Sequence, residues 1–306
     1  MFFRKEKKVF PLAVKGLSGG PRGLIKNITF RVRKRDIFGI VGLSGSGKTT
    51  LLKLILGLLK KKGGEVSFYG KPLWRSKRII GFCPQGHSFF EELTVRENIL
   101  LFGSLYGAKN PLGVGRKMLE ELEMEEKLDE LAGNLSGGQK TRLNVILSLL
   151  HEPKLIFMDE PFTGLDYYNR NLLWNFIKRL RKKGCTVILT THLLDEAQKN
   201  CTKLLVLKEG RKFVYGDVED IREKVGLDHV YEVRFKSLSK RGLREIIALC
   251  KEKKIDVLNV QIDTILFGVK EERKKVFLKL LKDYEHEVVS SRKPNINDLF
   301  LKVVSA

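Results

Sequence analysis

Residues 42–50 read Gly42, Leu43, Ser44, Gly45, Ser46, Gly47, Lys48, Thr49 and Thr50. The run Ile37, Phe38, Gly39, Ile40, Val41 before them is unbrokenly apolar, as a buried strand would be. The segment LLKLILGLL after them places Leu and Ile where a helix would use them. A glycine loop between a strand and a helix is a phosphate cradle. Its glycines let successive N–H groups turn inward, and the helix N-terminus adds its positive end. Lys48 is then in reach of β and γ phosphates, and the Thr49 hydroxyl suits Mg²⁺.

The chain has 306 residues, enough for one large domain and a smaller one. It contains no apolar run of the roughly 18 residues that a membrane-crossing helix requires. Its first ten residues, MFFRKEKKVF, are too charged for a signal peptide. Cys83, Cys185, Cys201 and Cys250 are scattered, which fits free thiols in a reducing compartment. The net charge of +22 gathers in clusters such as Arg4 to Lys8, Arg31 to Arg35, Lys60 to Lys62 and Lys178 to Lys183. Solvated surface, nucleic-acid binding and attraction to an anionic membrane leaflet all accommodate that charge.

Taken in order, the chain alternates strand and helix patterns. LIKNITFRV and EVSFYGKPL alternate apolar and polar positions, and RIIGFCPQ is a short apolar strand ending at Gln85. Between Ser88 and Leu131 the pattern becomes helical, with Thr94 and Glu97 spaced as a capping box. GRKMLEELEMEEKLDELA is expected to be one helix, and KTRLNVILSLLHEP another that runs to Pro153. LIFMDEP ends in two acids, Asp159 and Glu160, and TVILTTH ends at His192. This predicts an α/β fold with a central, mostly parallel sheet and a helical insertion at about 86–150. Gln85, Glu160, His192 and the glycine loop all follow strand ends, the edge where open α/β sheets bind ligands.

The motif set resembles the nucleotide-binding subunit of an ATP-binding cassette (ABC) transporter. GLSGSGKTT matches the Walker A loop, Gln85 the Q-loop, and Leu135, Ser136, Gly137, Gly138, Gln139 the LSGGQ signature. LIFMDE matches Walker B, Gly164, Leu165, Asp166 the D-loop, and His192 the switch histidine. The resemblance implies ATP as substrate and Mg²⁺ held by Thr49, Gln85 and Asp159. It implies Glu160 as general base, with Gln85 and His192 completing the catalytic set. Leu135 to Gln139 would complete the site of a partner subunit, identical or sibling, packed head to tail, and Asp166 would join the nucleotide-binding set. One departure stands out: GLSGGPRGLIKN lacks the aromatic that usually stacks on adenine, leaving Arg22 and the distant Phe10 as substitutes.

The cassette is expected over 1–225 and an accessory domain over 226–306. The latter reads as βαββαβ, a small ferredoxin-like sheet. Its tail, RKPNINDLFLKVV, resembles those of ABC-2 type exporters. A separate membrane permease would supply the pore, placing the chain peripherally at the cytoplasmic face of the membrane. Phe89, Phe90, Phe102 and Tyr106 are candidates for the groove that receives it. The rival reading is a soluble ABC ATPase acting on nucleic acid in repair or translation. The single cassette and the modest insertion argue against it, and no nucleic-acid partner is expected.

Overall fold

The computed structural model describes residues 9–217, 221, 226–236, 238–295, 297–298 and 301–302. The basic cluster Arg4 to Lys8 and part of the C-terminal tail lie outside these. The chain divides into two compact units, Met1–Tyr215 and Gly216–Ala306. The boundary expected at 225 and 226 touches residue 225, which lies outside those described.

The first unit begins with β1 (Leu12–Gly19), β2 (Ile25–Val32) and β3 (Ile37–Val41), followed by α1 (Lys48–Ile55) and β4 (Lys61–Ser67). Next come β5 (Ile80–Cys83), α2 (Val95–Tyr106), α3 (Pro111–Glu121) and α4 (Gly137–Leu147). Then follow β6 (Leu155–Asp159), α5 (Tyr167–Lys182), β7 (Thr186–Thr191), α6 (Leu194–Asn200), β8 (Lys203–Lys208) and β9 (Arg211–Asp217), whose last two residues fall in the second unit. Two sheets form, one ordered β2-β1-β4 and antiparallel, the other ordered β5-β6-β7-β3-β8-β9. In the second, β5 through β8 pair in parallel. Helix α1 shares one core with both sheets: its Leu51, Leu52 and Ile55 belong to a buried cluster with Val14 and Phe30 of the first sheet and Phe38, Phe157 and Ile188 of the second. A stacked Phe30–Phe38 pair, 5.2 Å between centroids, ties the sheets directly.

Helices α2, α3 and α4 pack on one another as the insertion. Thr94 and Glu97 make the expected capping box on α2. Two expected helices are shorter in the structure. The helix after Pro111 stops at Glu121, because Glu123 takes a left-handed turn, φ 53°, that lets both Leu122 and Met124 bury completely. The Leu122 carbonyl, freed by the break, accepts the buried Arg142 Nη1 at 2.8 Å. Helix α4 ends at Leu147, since Leu149 and Leu150 are drawn into the core by the turn that leads to β6.

The second unit contains β10 (His229–Phe235), α7 (Lys240–Glu252), β11 (Asp256–Val260), β12 (Thr264–Val269), α8 (Lys274–Leu281) and β13 (His286–Arg292). Its sheet runs β11-β12-β10-β13, antiparallel throughout. Ile246, Cys250, Phe277 and Leu281 from the two helices pack on Tyr231, Val233, Phe235 and Phe267 from the sheet.

All four cysteines are free and buried. Burial pushes the thiols of Cys83, Cys185 and Cys250 up to about 12, and that of Cys201 up as well. None therefore offers a thiolate near neutral pH. No helix among the described residues is long and apolar enough to cross a membrane.

Candidate functional site

A pocket of about 470 Å³ opens at the C-terminal edge of the parallel strands. Ser44, Gly45, Gly47, Lys48, Thr49 and Thr50 line it together with Gln85, Glu160 and His192. Motifs far apart in the sequence thus face one cavity, because β3, β5, β6 and β7 lie side by side and all point the same way. Leu24 and Thr163 line it as well, and neither carried a signal in the sequence.

The loop itself is shaped by close approach. At Gly42 a Cβ would strike Ser46 Oγ and stand 2.7 Å from the Leu207 carbonyl. The loop's far side is held by the β8–β9 turn: the Gly210 N–H donates to the Ser46 carbonyl at 3.0 Å, and Lys26 N–H donates to the Gly210 carbonyl at 2.9 Å. A side chain at Gly210, φ 71°, would collide with the Leu24 carbonyl. Helices α2, α4 and α5 each carry a side-chain cap, on Thr94, Ser136 and Asp166. Helix α1 carries none: its N-cap is Gly47, φ 100°. Its first-turn N–H groups have no intrahelical acceptor, and they open into the pocket, so an anion fits there. The Ser46 hydroxyl adds a buried oxygen with no hydrogen-bond partner.

Lys48 is buried, with its Nζ 3.0 Å from the Gly42 carbonyl, 3.3 Å from that of Leu43 and 3.2 Å from Glu160 Oε1. Leu43 itself points outward, 53% exposed, so the site uses its carbonyl and not its side chain. Thr49 Oγ1 donates to Asp159 Oδ1 at 3.0 Å. Glu160 takes a left-handed backbone, φ 49°, and its other oxygen, Oε2, is 2.9 Å from His192 Nδ1. One hydroxyl fixes both acids: Thr190 Oγ1 donates to Asp159 Oδ1 at 2.6 Å and accepts the Glu160 N–H at 2.8 Å. In sequence, Thr190 is indistinguishable from strand filler.

The signature segment and Asp166 do not line this pocket. Leu135 is buried and anchors the segment. Ser136 Oγ accepts the Gln139 N–H at 3.3 Å while Gln139 Oε1 accepts the Ser136 N–H at 2.8 Å, a second capping box. Gln139 thus shapes the start of α4, and the Ser136 hydroxyl keeps its proton to donate. Gly137 is exposed, and Gly138 lies beside Leu165 and Asn169, so signature and D-loop adjoin. The Asp166 carboxylate caps α5 by accepting the Asn169 N–H at 2.8 Å, which with the Asn169 side chain holds its pKa below the usual range.

A residue without motif status joins α4 to the Gln85 segment. Asn144 Nδ2 donates to the carbonyls of Pro84 at 3.0 Å and Gly86 at 3.2 Å, and its Oδ1 accepts from Ser88 Oγ at 2.9 Å. Asn144→Ala should destabilise the protein by about 1–3 kcal/mol, since these buried partners lose their satisfaction. Urea unfolding measures this, and a midpoint unchanged from the parent would refute the assignment. Neither Arg22 nor Phe10 lines the pocket, and the Phe10 ring instead lies under the Arg31 guanidinium at 5.2 Å.

A phosphate cradle at a strand end, with an acid pair and a polar residue on neighbouring strands, defines a P-loop nucleotide hydrolase. Within that class, the family model described as "ABC transporter" matches residues 25–163. The chain is 37% identical over 213 residues to a Nod factor export ATP-binding protein I of Rhizobium sp. (strain N33), covering 68% of this chain and 70% of that protein. The corresponding protein of Burkholderia lata is 35% identical over 216 residues, covering 68% and 71%. A solved ATP-binding subunit of an ABC transporter superposes with a TM-score of 0.64 at 31% identity, covering 70% of this chain and 93% of that one. The chain belongs to the ATP-binding subunits of ABC transporters. It binds ATP and is an ATPase whose hydrolysis is coupled to transport.

Proposed function

We propose that this chain drives export through a separate membrane permease, working at the membrane surface as a head-to-tail pair. The observation that carries the reading is the division of the motifs. Walker A, Gln85, Glu160 and His192 share one pocket, whereas Leu135 to Gln139 and Asp166 stand outside it. A second copy would bring its own Ser136 hydroxyl and the N–H groups of Gly137 and Gly138 to the exposed side of a bound nucleotide. Export is suggested by the relatives, which are named as export proteins. They also leave the nucleic-acid reading without support.

Within the pocket, Lys48 and the α1 N-terminus would hold the β and γ phosphates. Thr49 and Asp159 present hard oxygens that fit Mg²⁺, with Gln85 reaching in from the β5 end. Bound there, the ion would neutralise phosphate charge and orient the γ group. Glu160 would take a proton from the attacking water, steadied by Thr190 through its backbone. His192, beside Glu160, would contact the γ-phosphate. Loss of that phosphate removes the charge-assisted contacts across the pair and lets it part.

The permease would dock on the helical insertion. Phe90, Phe102, Tyr106 and His151 form a continuous ring series, with centroids 6.4, 6.2 and 4.7 Å apart, while Phe89 stands aside on His87. The neighbouring groove of about 860 Å³ is lined by Leu105 and Tyr106, which are 70% and 41% exposed. Affinity purification from detergent-solubilised membranes should recover a multispanning membrane protein with this chain. Leu105→Glu should lose that protein while binding ATP as before. Recovery of the chain alone, or equal recovery with the variant, would count against the docking.

A further inference from the structure

A basic cavity of the cassette lies away from the nucleotide. It measures about 780 Å³ and sits where the parallel strands begin. Lys34 and Arg35 lead into β3, Ile79 into β5, Lys154 into β6 and Cys185 into β7. The nucleotide pocket occupies the other ends of these strands, and a five-residue strand spans roughly 16 Å.

The cavity has two chemistries. Its floor is apolar, built from Tyr69, Ile79, Met118, Phe176 and Leu180. Its rim is cationic, with Lys34, Arg35, Lys71, Arg75 and Lys154, and Glu152 is the single acid of the lining. A sixth basic residue, Lys183, is already paired with Glu121 at 2.7 Å. The other five make no ion pair among the described residues, although ion pairs are frequent elsewhere on the unit. Beside the rim, Trp74 is 66% exposed and carries the Arg75 guanidinium on its face at 4.4 Å.

Unpaired cations over an apolar floor ask for one kind of occupant. We propose that this cavity binds an amphipathic anion, an apolar body carrying a phosphate group. The volume falls within the roughly 300–1,000 Å³ of small-molecule pockets. Two arginines on the rim suit phosphate, which accepts their paired N–H groups. The apolar body would cover the floor and displace water from it. A phosphate without such a body would gain only the screened attraction of exposed charges.

The test titrates octyl phosphate, inorganic phosphate and octanol into the full chain by calorimetry. Octyl phosphate should bind at one site at least tenfold more tightly than either fragment, and weaken as salt is raised. The double variant Lys71→Glu, Arg75→Glu should lose at least tenfold in that affinity while its ATP affinity, which reports an intact cassette, stays unchanged. Equal affinities for octyl phosphate and inorganic phosphate, no salt dependence, or an undiminished affinity in the variant would overturn the proposal. Vesicles containing phosphatidic acid separate two sources of the ligand. Octyl phosphate binding without vesicle binding assigns a soluble amphiphile, and binding to both assigns a bilayer headgroup. Vesicle binding that persists in the double variant counts against the site.

Discussion

Glu160→Gln is expected to slow ATP hydrolysis by roughly 10²–10⁴-fold, the range for a lost general base. The amide keeps the size of the side chain but cannot take the water's proton. Binding should survive, because Lys48 retains the Gly42 and Leu43 carbonyls that fix its ammonium. It should even tighten slightly, since one negative charge facing the γ-phosphate is gone. With ATP present the variant should therefore accumulate as a dimer that elutes early from a sizing column. Phosphate release at the parent rate would show that another group activates the water. The His192 imidazole, 2.9 Å from the same carboxylate, would be examined next.

Ser136→Arg is the complementary experiment. In a single chain this residue stands outside the nucleotide pocket, so ATP affinity measured at low protein concentration should be unchanged. Hydrolysis should nonetheless fall by on the order of a hundredfold or more, as when a preorganised donor to developing phosphate charge is removed. Lys48→Ala should fail in the opposite way, through loss of ATP binding. Mixing the two variants should restore activity that neither has alone. One chain then brings a sound Walker A loop and the other a sound signature. Full activity of Ser136→Arg, or no recovery on mixing, would dismantle the head-to-tail arrangement.

How much of this was legible without coordinates depends on where the information lies. The glycine loop, the acid pair and the Thr94 capping box are local patterns, and local rules read them. The order β5-β6-β7-β3-β8 is not local. Its central strands are buried on both faces, so they show no alternation that would tell one neighbour from another. The break at Glu123 was hidden for a related reason: its charged surroundings have high helix propensity, and only the need to bury both Leu122 and Met124 outweighs it. Thr190 and Asn144 act through distances to distant segments, 2.6 Å to Asp159 and 3.0 Å to Pro84, and no spacing along the chain encodes those. Gln139 carries a structural part that its motif did not announce: its side chain shapes the helix start.

The turn at Gly210 bears on how self-sufficient the phosphate loop is. Nine consecutive residues carry its recognisable lettering, yet its curvature is secured from outside by a hairpin much further along the chain. Transplanting residues 42–50 into another strand–helix junction would move the letters and leave the brace behind. Engineers who shorten or redesign that hairpin should expect to be editing the grip on triphosphate as well.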